Sequence, residues 1–343
     1  MIADAVVAGF ASWLRDQRPN RTPEIVGVER PSAGFSSDTY LVDLRHADDL
    51  VIDRVVLKLP PAGQGIFPDY DFDRQARVQN AVAAAGIPAA APAHVELDAR
   101  WAGAPFLVMP AIAGHIVGEV PVADQWLTCA EPSRNTKVHH GYFDVLADIH
   151  RVDWRARDLR DVVPHRDNAA ELAHWRDYLA WYGDGTVLAP TLVDALDWCD
   201  DHRPTSEPAP SLLWGDVRLG NLIFDEERAP VAVLDWEMTT IGAAEHDLAW
   251  ALALGAVQDE LLKHTVPGFL DRDAAVARYE ARLGRPVQDL PWYEVFALVR
   301  STAIMTRIAH LRALVGEAEL FPIADNPILT ILLRRIKEAE ETR

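Results

Sequence analysis

The stretch "SLLWGDVRLGNLIFDEERAPVAVLDWEM", residues 211–238, decides how this chain is read. Two short apolar runs flank the carboxylates Asp216 and Asp235, with Arg218 and Asn221 set between them. Ordinary turns also favour Asp and Asn, but a turn alone does not explain this spacing inside apolar walls. A metal ion and a phosphate do. A carboxylate and an amide oxygen are hard ligands suited to Mg²⁺. Asp216 is a suitable acceptor for the proton of an attacking hydroxyl, and a cation such as Arg218 offsets charge that develops on a moving phosphoryl group.

The rest of the chain sets the frame. Its 343 residues exceed one compact core and fit two lobes. Hydrophobic residues make up 49% and charged residues 25%, as in ordinary globular proteins. A formal charge of −19 argues against nucleic acid or an anionic membrane as partner. With only Cys129 and Cys199, no disulfide framework is implied. The opening "MIADAVVAGFASWLRDQRP" reads as an amphipathic helix, not a signal peptide, and no apolar run is long enough to span a membrane. A cytoplasmic location is expected.

Working outward, residues 24–46 read as strand, turn, strand, and "DRVVLKLP" (53–60) as a third strand, apolar except for Lys58. A loop and a helix ended by Gly86 and Pro88 follow, then a buried strand over 104–114. Beyond it helical periodicity dominates, at about 137–152, 168–182, 190–201, 245–256, 273–283, 292–315 and from 327, interrupted by a hairpin near 221–235. The expectation is α+β: a small antiparallel-sheet N-lobe (1–109) and a larger helical C-lobe (110–343).

Asp216 and Asn221 are five apart and Asp235 follows nineteen after Asp216, the D-x-x-x-x-N plus downstream Asp of kinase machinery. "WGDVRLGN" and "VLDWE" resemble the H-G-D-x-x-x-x-N and I-D-W/F-E/D motifs of the aminoglycoside phosphotransferase/choline kinase superfamily, relatives of the protein kinases. The likeness extends to "SAGFSSDTY", the lysine of "VVLKLP", "PFLVM" and "YEARLGRP", in the family's order. It implies a bilobal protein-kinase-like fold and an ATP- or GTP-dependent, Mg²⁺-requiring phosphotransferase acting on a hydroxyl of a small molecule. Carried over position by position, Asp216 is the base, Asn221 and Asp235 hold Mg²⁺, and Glu237 is a nearby or substrate-side carboxylate. Lys58 reaches the α/β-phosphates under the backbone of Gly34, Phe35, Ser36 and Ser37. Met109 and its neighbours offer main-chain groups to adenine, and Asp247 braces the catalytic loop.

Three departures matter. Trp214 replaces the family His, so the hydrogen bond that supports the loop there must come from elsewhere or be absent. Gln75 stands where an acid that pairs with the lysine is frequent, and Asp73 is the expected partner of Lys58. Asp216-Val217-Arg218 differs from the G-D-L-H of aminoglycoside-directed members and resembles kinase-like domains fused to acyl-CoA dehydrogenases, which phosphorylate hydroxyacyl-CoA thioesters. Gly63 and Gly65 lack a following Gly-Lys-Ser/Thr and are read as loop, not Walker A. His139, His140, His150, His165 and His174 lack metal-ligand spacing and are read as surface or satisfied core residues. Two other functions stay open: a nucleotide-binding pseudokinase acting as sensor or scaffold, and a metal-dependent hydrolase. Acceptor identity and oligomeric state are open too.

Overall fold

A computed structural model describes residues 2–19, 21–31, 36–46, 52–183, 190–314, 316 and 326–341. The chain opens with α1 (Ile2–Gln17), then β1 (Glu24–Glu29), β2 (Asp38–Arg45) and β3 (Ile52–Leu59). Next come α2 (Phe72–Ala84), β4 (His94–Glu96) and β5 (Phe106–Pro110). The five strands form one antiparallel sheet in the order β1-β2-β3-β5-β4.

Strand periodicity explains how this sheet is sandwiched. Along β5, Phe106 and Val108 pack with Val6, Phe10 and Leu14 of α1, while Leu107 and Met109 pack with Phe72 and Ala76 of α2. Both faces are covered, so β5 is buried from Phe106 through Met109. Helix α2 starts where Asp71 accepts a hydrogen bond from Arg74 N, a side-chain cap on an otherwise orphaned donor.

After β6 (His115–Ile116) and the short α3 (Gln125–Thr128), the helical lobe is built by α4 (Pro132–His150), α5 (Asn168–Gly183) and α6 (Pro190–Asp201). Four short strands follow: β7 (Ser211–Leu213), β8 (Leu222–Phe224), β9 (Pro230–Val233) and β10 (Thr240–Gly242). The chain ends with α7 (Glu245–Leu262), α8 (Arg272–Leu283), α9 (Leu290–Leu314) and α10 (Pro327–Glu341). Helices α7 and α9 have almost no polar face and form the centre of the large core. No helix among the described residues is long and apolar enough to cross a membrane.

The α+β, bilobal expectation holds. Several elements were not foreseen: β4, β6, β7 and β10 are two or three residues long, too short for alternation to show.

Candidate active site

Strand pairing brings the polar residues of 211–238 together. β7 pairs with β10 and β8 with β9, so the loops 214–221 and 234–239 leave the paired strands side by side. Leu234 N donates to Asn221 O at 2.9 Å, tying one loop to the other. The approach is close: a Cβ on Gly215, whose φ is +96°, would lie 2.5 Å from Met238 O. Only glycine fits there. Asp235 itself has φ +61°, a left-handed conformation that non-glycine residues seldom adopt and that tends to mark functional loops.

Asp216 is held from three sides. Its Oδ2 accepts from Arg218 Nε at 2.9 Å and from Asn221 Nδ2 at 2.8 Å, and its Oδ1 accepts from Trp250 Nε1 at 3.3 Å. Arg218 reaches on to Glu119, with Nη1 2.6 Å from each carboxylate oxygen. Burial disfavours the Arg218 charge, but the Asp216 and Glu119 carboxylates outweigh that and raise its pKa. Tyr142 donates to Val217 O at 2.9 Å from α4, fixing the middle of the loop. Trp250 and Glu119 are site residues that sequence reasoning did not assign. Nothing local signals Glu119, which lies 99 residues before Arg218.

Trp214 resolves the departure at the loop's entrance. Its indole Nε1 donates to Leu234 O at 2.7 Å, so the residue at the expected histidine's place adds a second bond between the two loops. Asp247, fully buried at the start of α7, accepts from Trp214 N at 2.7 Å and Gly215 N at 3.1 Å. His150 Nε2 lies 3.1 Å from the same carboxylate and its Nδ1 meets the Tyr279 hydroxyl.

Lys58 corrects one expectation. It bonds Asp235 Oδ1 at 3.1 Å rather than Asp73, which sits 3.8 Å from Arg77 on the exposed side of α2. Gln75 is the buried polar residue of that turn, and its Nε2 has no hydrogen-bond partner among the described residues. Burial works against the Lys58 charge, yet Asp235 and Glu237 reverse this and raise its pKa. Glu237 is pushed up to about 8 by burial, then by the neighbouring Asp235, with Lys58 and the Ser36 hydroxyl pulling the other way.

Ser36 is buried against Glu237 and Ser37 is half-buried beside it, whereas Gly34 and Phe35 lie outside the described residues. Met109 points its side chain into the core under α2, where Gln79 Nε2 meets its sulfur at 3.2 Å. The donor set fits a hard divalent cation. Asn221 spends its Nδ2 on Asp216, leaving Oδ1 without a hydrogen-bond partner among the described residues. The buried Glu237 Oε2 is likewise unpartnered. Among the described residues no group of three or more His, Cys, Asp or Glu is arranged to hold a metal, so a cation here needs further oxygens, as a nucleotide's phosphates provide.

This convergence of two loops beneath a lysine-bearing sheet defines a kinase-like phosphotransferase fold, and sequence comparison agrees. The Phosphotransferase enzyme family (APH) matches residues 27–295, and the chain belongs to that family. Among curated relatives, "Acyl-CoA dehydrogenase family member 10" of Mus musculus is 29% identical over 299 residues, 83% of this chain and 26% of the relative. The chain thus spans about a quarter of that relative's length. Among solved structures, a Ralstonia eutropha JMP134 protein of the aminoglycoside phosphotransferase kind superposes with a TM-score of 0.74 at 23% identity, covering 97% of this chain and 98% of that one. The GDP and kanamycin complex of APH(2″)-IIIa gives 0.56 at 14%, covering 97% and 99%.

Proposed function

We propose that the protein transfers the γ-phosphoryl group of ATP or GTP to a hydroxyl of a small-molecule acceptor, a hydroxyacyl thioester being the class favoured. The observation that carries this reading is the Asp216 carboxylate, fixed by Arg218, Asn221 and Trp250 on a loop that is tied through Asn221 O and Leu234 N to the loop bearing Asp235, the partner of Lys58. Asp216 accepts the acceptor's proton as the hydroxyl oxygen forms a bond to phosphorus. The bond from phosphorus to the bridging oxygen breaks, and the nucleoside diphosphate leaves with the electron pair. Arg218 offsets charge on the moving group and keeps Asp216 oriented through its own anchor on Glu119. Lys58 reaches the α/β-phosphates under the backbone of Ser36 and Ser37, and the main chain near Met109 faces adenine. Asn221 and Asp235 would hold Mg²⁺, which neutralises phosphate charge when bound, with Glu237 beside them and Asp247 bracing the loop from below. The N-lobe is proposed to span 1–109 and the C-lobe 110–343.

Support for the acceptor class comes from the Arg218 position and from relatives that carry an acyl-CoA dehydrogenase name. A phosphate-transfer screen across hydroxyacyl thioesters, aminoglycosides, amino alcohols, sugars and macrolides, with both nucleotides, tests it. Transfer only to a different class removes the thioester assignment. No Mg²⁺-dependent transfer or ATPase activity favours the pseudokinase alternative, for which Gln75 and the Lys58–Asp235 pair speak.

Lys58→Met is expected to weaken nucleotide binding at least about tenfold, the equivalent of roughly 1.4 kcal/mol. The same change leaves Asp235 without its ion-pair partner. Calorimetric titration reads the effect, and equal affinity in wild type and variant would remove Lys58 from the phosphates.

A further inference from the structure

Past Lys58, the chain between β3 and α2 does not return over its own sheet; it crosses to the helical lobe. Tyr178 of α5 donates to Ile66 O at 3.0 Å, and Arg307 of α9 donates from Nε and Nη2 to Gly65 O at 3.1 and 2.9 Å. This strap and the helices it reaches together line a cavity of about 590 Å³, whose walls include Phe67, Tyr70, Trp181, Tyr182, Arg307 and His310. The size suits a substantial part of a small-molecule ligand.

Its chemistry contrasts with that of the whole chain. In a protein of net charge −19, the lining contains Arg307 and His310 and, among the described residues, no Asp or Glu. Arg307 is stacked 4.8 Å from the Trp181 ring and 5.8 Å from Tyr182. Its Nη1 makes no hydrogen bond among the described residues, because its bonds to Gly65 and Gln64 use only Nε and Nη2. Trp181, a large ring on the wall, is 40% exposed. Such walls suit a planar heteroaromatic ring beside anionic oxygens. They do not suit a polycation.

The cavity also lies at a useful remove from the reacting centre. Arg300 of α9 stacks 4.9 Å from the Trp250 ring that bonds Asp216, and Arg307 follows two turns later. Seven residues of helix span about 10 Å. An acceptor that filled both places must therefore be long.

Resting on the phosphotransfer reading above, we infer that this cavity is the subsite for the non-reacting end of an extended acceptor. That end is a phosphorylated, heteroaromatic carrier group, as in a coenzyme A thioester, with its ring on Trp181 and its phosphates at Arg307 and His310. The hydroxyl-bearing acyl end is thereby left facing Asp216.

Two measurements test this. In the first, the wild type is assayed with a hydroxyacyl group carried on coenzyme A and on pantetheine alone. The coenzyme A thioester is expected to have the lower KM, Trp181→Ala to raise it about tenfold, the loss typical of removing one ring-stacking partner, and His310→Ala to raise it by removing a phosphate contact. Equal KM for the two carriers, or variants indistinguishable from wild type, would overturn the subsite while leaving the phosphotransfer reading in place. In the second, adenosine 3′,5′-bisphosphate is titrated calorimetrically into protein already saturated with a non-hydrolysable ATP analogue. Binding in the wild type that is lost in Trp181→Ala supports the subsite even if no thioester is phosphorylated, in which case only the acceptor assignment falls. No binding to the saturated wild type overturns it.

Discussion

Asp216→Asn is expected to lower kcat by on the order of 10² or more, the range typical of a lost, positioned acid–base group, while leaving nucleotide affinity near that of the wild type. The reasoning is geometric. Asparagine keeps the volume and one oxygen; with that oxygen toward Arg218 and Asn221 both donors stay partnered, only the Trp250 bond is lost, and the amide cannot accept the hydroxyl proton. Nucleotide and metal contacts are proposed to fall on Lys58, Asp235, Asn221 and the sheet; of these only Asn221 touches the substituted group, through Nδ2 and not through the Oδ1 left for the metal. Binding of Mg²⁺-nucleotide by calorimetry and single-turnover transfer to the identified acceptor separate the two effects. A variant with near wild-type turnover would show that Asp216 only orients the loop. A variant that loses nucleotide affinity as well would place it among the nucleotide's ligands instead.

How much of this was legible in the sequence depends on distance along the chain. The spacing of Asp216, Asn221 and Asp235 is local, and a hairpin between them is enough to bring their loops side by side. The bilobal α+β fold was readable for the same reason, since strand alternation and helical periodicity are short-range signals. Glu119 was not readable, because its meeting with Arg218 depends on the path of the connector between β6 and α3. Asp73 shows a different failure. A helix turns about 100° per residue, so positions 73 and 75 face nearly opposite ways. The buried place on α2 fell to Gln75, and Asp73 was left outside with Arg77. Composition alone could not choose between them, since either residue is polar. Trp214 looked like a loss, because hydrogen-bonding capacity is assessed by residue type. Its indole supplies the bond only because Leu234 O lies at the right distance on the neighbouring loop.

Replacing Asp247 with alanine is expected to cost about 3–5 kcal/mol, the range found when one member of a buried, charge-bearing pair is removed. The carboxylate is fully buried, and three groups depend on it: Trp214 N, Gly215 N and His150. Alanine leaves two backbone donors without acceptors where water does not reach, and each buried donor so stranded costs about 1–3 kcal/mol. For a chain of this size the melting temperature should fall by roughly 10 °C. Activity should fall further than stability predicts, because Gly215 directly precedes Asp216 and a displacement of about 1 Å at a reacting group can cost on the order of 10² in rate. Asp247→Asn provides the discriminating control. It keeps one oxygen for a backbone donor but turns an amide toward the other groups, so its loss should lie between wild type and alanine. Thermal unfolding with and without saturating nucleotide, combined with kcat at a temperature where all three proteins are folded, reads both effects. An unchanged melting temperature in Asp247→Ala would mean that the loop's other bonds, among them those of Trp214 Nε1, Asn221 O and Tyr142, are enough to hold it. A folded Asp247→Ala with full turnover would mean that Asp216 does not need the buried carboxylate to stay in place.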